Sequence, residues 1–497
     1  MHARTTAAAI AGAALLTTAL TFMPTAGADE LAPAASPVSL RGAEKIVAYS
    51  YRGRVYTDFG LRMVAGEEPF ELHATRPSYD EPIDTVWHTA DGDVALPAGS
   101  MEDFSGLNDF IDITVTRASD GEVIKSKSVD SCFNGYTART RPDAPSRSPY
   151  PWGCPWNPYT VGSVMGIQAG WSTPVLQEFG RPLRLPVGKY DVVATIDPTL
   201  AEVFGISAED AAAATQLVVR TDDRRNGRPS ARQTSARQTD RTLAPSAAQE
   251  PRRSSAGALA PEAAPDLQSL PAFGVQLNGK GTTMRFAATV WNGGGGPLVV
   301  DGFRSAGEDH MDAYQYFYDT DGNETGYEQV GEFHFHGANH QHWHFEDFAQ
   351  YRLLSADQTL AVKSTKASFC LANTDAVDYT LPNADWQPEN TDLSSACGGP
   401  EAQGLREVLS NGSGDTYMQY RAGQAFRIAN LPDGIYYIAV EANPDDAENG
   451  RNLVELDYTN NDSLREVRLG TNKRTGERWV KSTPVGIIDE QMGRFFR

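Results

Sequence analysis

Four segments recur in the same order on either side of a stretch that cannot build a core, which confines the chain to architectures with two comparable halves. Phe59 to Arg76 (FGLRMVAGEEPFELHATR) parallels Phe286 to Arg304 (FAATVWNGGGGPLVVDGFR), each reading as a strand, a Gly-containing turn and a second strand. Asn108 to Cys132 matches Glu346 to Cys370 without a gap. In that register Asp109, Phe110, Ala118, Lys125, Ser126 and Cys132 face Asp347, Phe348, Ala356, Lys363, Ser364 and Cys370. Leu185 to Tyr190 (LPVGKY) parallels Leu431 to Tyr436 (LPDGIY), and the strands that follow end in Asp197-Pro198 and Asn443-Pro444. Between the halves, residues 221–262 lose their large apolar side chains and fill with Arg, Ser, Ala, Pro, Gln and Thr, the composition of a flexible linker. The linker's arginines carry charge that suits anionic cell-wall polymers, although solvation alone accounts for them.

The domains expected are therefore 29–220 and 263–497, after a leader at 1–28. Short strands punctuated by Gly, Pro, Asn and Asp, with few long helical periods, predict an all-β protein with a β-sandwich in each half. One short helix is expected over Ala208 to Leu217, opened by Ser207 as its N-cap.

The leader has a basic start (His2, Arg4), an apolar run from Ala7 to Leu20, and Ala26-Gly27-Ala28, a pattern suited to export with cleavage before Asp29. No other stretch reaches the roughly 20 apolar residues a spanning helix needs, so no integral membrane association is expected and the mature chain reads as secreted. In an oxidising compartment, four cysteines falling as two pairs predict two disulfides, Cys132 with Cys154 and Cys370 with Cys397. The formal net charge of −21 disfavours nucleic acid, which needs a basic face. It is compatible with cationic substrates, and equally with a role in solubility alone.

Six of the nine histidines, His310, His334, His336, His340, His342 and His344, lie within 35 residues. On an extended strand, His340, His342 and His344 point to one face. Three neutral imidazoles suit copper, zinc, iron or nickel and leave positions open for solvent, substrate or dioxygen. For His334 and His336 ligation and a supporting role are equally compatible with the spacing. His310 carries no readable signal.

The histidine strand, followed by Glu346-Asp347-Phe348 and Tyr351, Lys366-Ala367-Ser368-Phe369-Cys370-Leu371, Gln403-Gly404-Leu405, Asp415-Thr416-Tyr417 and Glu455-Leu456-Asp457-Tyr458-Thr459-Asn460-Asn461, resembles the catalytic domain of lysyl oxidases over roughly Asp266 to Leu469. The resemblance implies Cu(2+) on His340, His342 and His344, and a lysine tyrosylquinone cofactor made from Lys366 and Tyr417. It implies a secreted amine oxidase that converts primary amines, peptidyl lysine or small diamines, to aldehydes with dioxygen, releasing ammonia and hydrogen peroxide. Asp347 and Asp415 are both open as the catalytic base. Glu455, Asp457, Asn460 and Asn461 supply oxygen donors of the kind a hard cation prefers. To these the resemblance adds Asp266 and the Leu267 carbonyl, implying Ca(2+). Fewer cysteines than in animal lysyl oxidases, and an unfamiliar segment from Asp375 to Gln403, leave collagen or elastin specificity unsupported.

In the N-terminal half Glu102, Phe104 and Gly106 occupy the positions of His340, His342 and His344, and Ser128 faces Lys366. That half is expected to be inert. Two roles stay open for it: restricting access through Tyr150 to Tyr159 (YPWGCPWNPY), or spacing and anchoring the enzyme. A zinc metallohydrolase and a non-catalytic copper- or wall-binding protein are the rival classes for the whole chain.

Overall fold

In a computed structural model, the described residues are 35–176, 182–221, 259–305, 308–336, 341–364, 366, 368–388, 393–445 and 450–490. The expected leader, nearly all of the expected linker and His340 lie outside them. Among the described residues the protein is all-β, with 31 strands and a single α-helix. No helix among them is long and apolar enough to cross a membrane.

Each half is built around a sheet whose strands alternate between core and solvent. In Ala349–Ser355, Ala349, Tyr351 and Leu353 are buried while Gln350 and Arg352 are half-exposed, the two-residue period of a sheet with one dry face. One six-stranded sheet runs Arg54–Val55, Lys45–Tyr51, Ala212–Thr221, Gly188–Ile196, Leu107–Arg117, Val123–Ser131. A five-stranded sheet runs Leu360–Lys363, Ala349–Ser355, Gly434–Ala442, Asp462–Thr471, Arg478–Ser482. Reading the last four strands of the first backwards gives the order of the first four in the second. Details coincide as well. Leu107 pairs with Ser131 as Phe345 pairs with Phe369. Asp109 and Asp347 both take positive φ, 45° and 56°. Tyr190 donates its hydroxyl to the Pro186 carbonyl and Tyr436 to the Pro432 carbonyl, each at 2.9 Å, a corner that pins the turn before the late strand.

The helix expected over Ala208 to Leu217 is corrected. Residues Ala212–Thr221 form a strand between Gly188–Ile196 and Lys45–Tyr51, because its pairing on both edges and the burial of Thr215, Leu217 and Val219 outweigh alanine's helical preference. The helix lies earlier, at Pro198–Val203, opened by Asp197, whose side chain accepts the Leu200 N–H. Both expected disulfides are formed.

Two large apolar cores, one in each half, are joined by a smaller cluster in which Tyr159 of the N-terminal half is enclosed by Leu270, Phe273, Ala287, Trp291, Val377 and Met418. The Tyr159 hydroxyl donates to Glu490 and accepts from Arg465, which itself pairs with Glu490, so its polar tip is satisfied in the interior. Backbone bonds continue the seam: Val161 N–H to the Val377 carbonyl at 2.8 Å, Tyr379 N–H to the Gly162 carbonyl at 3.0 Å, and Ile487 N–H to the Tyr79 carbonyl at 2.8 Å. The described residues from Ser36 to Glu490 form one compact unit.

Candidate active site

The histidines sit on a run of antiparallel strands, His310–Tyr318, Glu324–His336, His342–Glu346 and Ser368–Phe369. The register opposes His310 to His334, His334 to His344 and His336 to His342. Directly opposed residues share a face, so five imidazoles line one side of the sheet. His310, without signal in the sequence, is placed in the row by strand pairing alone. Its ring and that of His334 are exposed and bond to Asp309 and Glu332 at 3.1 Å.

Further along the row, the half-exposed His336 and His342 converge on the buried His344. The Nε2 atoms of His342 and His344 are 3.0 Å apart, and the rings of His336 and His344 stack at 4.3 Å. Ser368 Oγ lies 3.2 Å from His336 Nε2 and 3.4 Å from His344 Nδ1, and Glu346 Oε1 lies 3.5 Å from His336 Nε2. Two imidazole nitrogens held this close are a donor pair that would suit copper. The Ser368 hydroxyl on Nδ1 suits a His344 whose Nε2 lone pair faces that ion. These donors fit copper. The regular strand begins at His342, since Gln341 takes φ 56°. His340 of the expected triad lies outside the described residues.

Lys366 and Tyr417 come together. Lys366 is buried, its Nζ donating to the Ser368 carbonyl at 3.1 Å and lying 4.4 Å from the centre of the Phe369 ring and 4.1 Å from that of Tyr417. Burial lowers its ammonium pKa to about 8, against the opposing pull of Asp415 and Glu346. The close approach depends on Gly423, at φ 83°, where a Cβ would meet the Lys366 Cβ at 2.7 Å. Tyr417 stands edge-on to Phe369 at 5.0 Å, and its hydroxyl donates to the Cys370 carbonyl at 3.0 Å and accepts the Cys370 N–H at 3.1 Å. Burial, then Asp415 and Glu407, hold the phenol well above its ordinary pKa. Residues Lys366 to Cys370 thus touch the imidazoles through Ser368 and the phenol through Phe369 and Cys370.

Asp415 shares the Tyr417 strand two residues away and so faces the same side. It is buried, its Oδ2 has no hydrogen-bond partner among the described residues, and burial raises its pKa well above the carboxylate range while Lys366 pulls it down. Asp347, the other candidate base, occupies the positive-φ turn that Asp109 copies. Cys370, Cys397 and Glu407 bring two sulfurs and an oxygen within 4.8 Å of one another, but the disulfide commits both sulfurs.

Of the six residues expected at a second cation site, Glu455 bonds to Asn461 and to the Leu267 N–H rather than its carbonyl, and Asn460 bonds to Asp266. Glu455 Oε2 accepts the Leu267 N–H at 2.7 Å, and its Oε1 accepts Asn443 and Asn461 side-chain amides. The Asn460 amide donates to Asp266 at 3.0 Å. The Oδ1 atoms of Asn460 and Asn461 are buried with no hydrogen-bond partner among the described residues. Asp457 is exposed and turned onto Thr459.

A β-sandwich that sets paired imidazoles beside a buried amine lying over a phenol has the donor set of a metal-assisted oxidase. Residues 325–476 match the family model described as lysyl oxidase. That match lies within the C-terminal half of the chain, and members of the matched family are copper- and quinone-dependent amine oxidases. A comparison with curated proteins found no match.

Proposed function

We propose that the chain is an exported amine oxidase whose quinone is built from Lys366 and Tyr417, and which converts peptidyl lysine or small primary amines to aldehydes. The observation that carries this reading is the Lys366 ammonium 4.1 Å from the centre of the Tyr417 ring. His342, His344 and His340, with His336 alongside, would hold copper, which would supply activation of dioxygen for oxidation of the phenol. Joining ring to amine consumes two dioxygen molecules per site and releases one water and one hydrogen peroxide. Each turnover then takes amine, dioxygen and water to aldehyde, ammonia and hydrogen peroxide.

The chain's own residues set the terms. A pKa near 8 gives Lys366 a substantial neutral fraction, the form that adds to an oxidised ring. The Cys370 N–H and carbonyl both bond the phenol hydroxyl, which fixes the ring with its face under Nζ. We assign the catalytic base to Asp415, because its unpartnered oxygen and its coupling to Lys366 put it beside the reacting groups. Asp347 serves the turn. Calcium is assigned to Asp266, Glu455, Asn460 and Asn461, because the buried Oδ1 atoms of Asn460 and Asn461 have no hydrogen-bond partner among the described residues and need a cation or water. The N-terminal half is read as a duplicated, inert copy, on the strength of the matching strand order and the two tyrosine corners.

The test is mass spectrometry of a digest after copper loading in air. Peptides holding Lys366 and Tyr417 should be joined, with a quinone absorbance that phenylhydrazine discharges, and Lys366→Arg should remove both. Unjoined peptides in copper-replete protein would sink the assignment.

A further inference from the structure

The Tyr150 to Tyr159 segment does not end at the surface of the catalytic half; it enters it. Asn157 is buried, and its side-chain nitrogen lies 2.9 Å from Thr289 Oγ1, 2.9 Å from Asp375 Oδ2 and 3.4 Å from Thr416 Oγ1. Its Oδ1 accepts the Tyr159 N–H at 3.0 Å, which fixes the side chain's direction. Thr416 in turn lies 2.6 Å from both Thr289 Oγ1 and Asp375 Oδ2. Asp375 is buried, and among the described residues its side chain bonds only to Asn157 and Thr416. Each amide or hydroxyl here has its partner inside the network, so removing one strands the others.

The position of Thr416 gives the network its consequence. On the Ser413–Tyr417 strand, side chains alternate: Thr416 faces the seam with the N-terminal half, while Asp415 and Tyr417 face Lys366. Two neighbouring strands hold the edges of this one, Thr283–Asn292 opposing Thr289 to Thr416 and Asp375–Ala376 opposing Asp375 to Gly414. Asn157 bonds to both neighbours and reaches Thr416 between them. We propose that Asn157 is a positioning residue for the quinone site: from the back of the strand it holds Thr416 and Asp375, and so fixes Asp415 and Tyr417 on the front against Lys366. The N-terminal half then completes the catalytic unit as a buttress. This rests on the quinone reading above.

The experiment uses the full chain. After copper addition in air, Asn157→Ala should form the Lys366–Tyr417 crosslink at least tenfold more slowly than the natural protein, with the same copper bound per chain. In the copper-free state its peptide covering 413–417 should exchange amide hydrogens faster, while Ala349–Ser355 is unchanged. Tyr159→Phe removes a hydroxyl from the same docking segment, on the Arg465 and Glu490 side, and should lower the melting temperature without slowing crosslinking. Asn157→Asp keeps the shape, replaces the donor by an acceptor facing Asp375, and should slow crosslinking even if the alanine variant folds poorly. Equal crosslinking rates in Asn157→Asp, Tyr159→Phe and the natural protein overturn the proposal. Failure of the natural protein to crosslink overturns the quinone reading instead, and the exchange measurement then decides whether Asn157 positions the strand.

Discussion

Gly423 is the smallest contributor to the site and one of the least replaceable. Its positive φ disfavours any side chain, and the methyl of alanine would land 2.7 Å from the Lys366 Cβ. Gly423→Ala should therefore cost about 2 kcal/mol or more in a denaturant melt and displace Lys366 from the Tyr417 ring. A melt unchanged from the natural protein would show that the lysine does not need this approach. Lys366 itself makes a second prediction, through its proton. Burial lowers its pKa from the ordinary 10.5 to about 8, so below that pH the ammonium dominates and the reactive neutral amine falls about tenfold per unit. Crosslinking followed by quinone absorbance from about pH 6.5 to 9.5 should rise up to about 8 and level off above it. A rate flat across that range would separate the lysine's ionisation from the limiting step.

At the level of strands, the imidazole row exists because a hairpin opposes His334-Phe335-His336 to His342-Trp343-His344. Phe335 and Trp343, pointing the other way, pack against each other with ring centres 5.5 Å apart and anchor that register. His344→Ala removes a ring that faces His342 directly, and copper should no longer be retained against a chelator. His336→Ala leaves that pair intact but removes the ring stacked on His344 and bonded to Ser368, and should weaken copper by about 10- to 100-fold. Chelator competition on the two variants separates these outcomes; natural affinity in His336→Ala would exclude that ring from the site. The six-residue match around Cys132 and Cys370 located the paired sheets, because buried positions and turn aspartates leave a pattern in the chain. The helix expected over Ala208 to Leu217 follows its alanine run, whereas the strand's own signal is the alternation of Thr215, Leu217 and Val219.

At the scale of the molecule, the two halves share a polar network at Asn157 and an apolar one at Tyr159, each closed on both sides. Separating them would take Asn157 from Asp375, leaving Thr416 as its one side-chain partner among the described residues, and expose the cluster of Phe273, Trp291 and Met418. Scanning calorimetry of the full chain should give one cooperative transition, with calorimetric and van't Hoff enthalpies in agreement. Two resolved transitions would mean that the seam contributes little to either half. The Tyr150 to Tyr159 segment, through which the N-terminal half was expected to restrict access, has its Asn157 and Tyr159 in the interior, behind the Tyr417 strand.

Local chemistry wrote much of this protein into its chain: histidine spacing, cysteine pairing, strand alternation and the order of the lysine and tyrosine motifs are relations between near neighbours. What folding alone decided are the contacts between residues far apart in sequence. His336 opposite His342, Gly423 under Lys366, and Asn157 behind Thr416 are each set by strand pairing or docking. Their partners share no sequence period with them, so only the packed structure can bring them together.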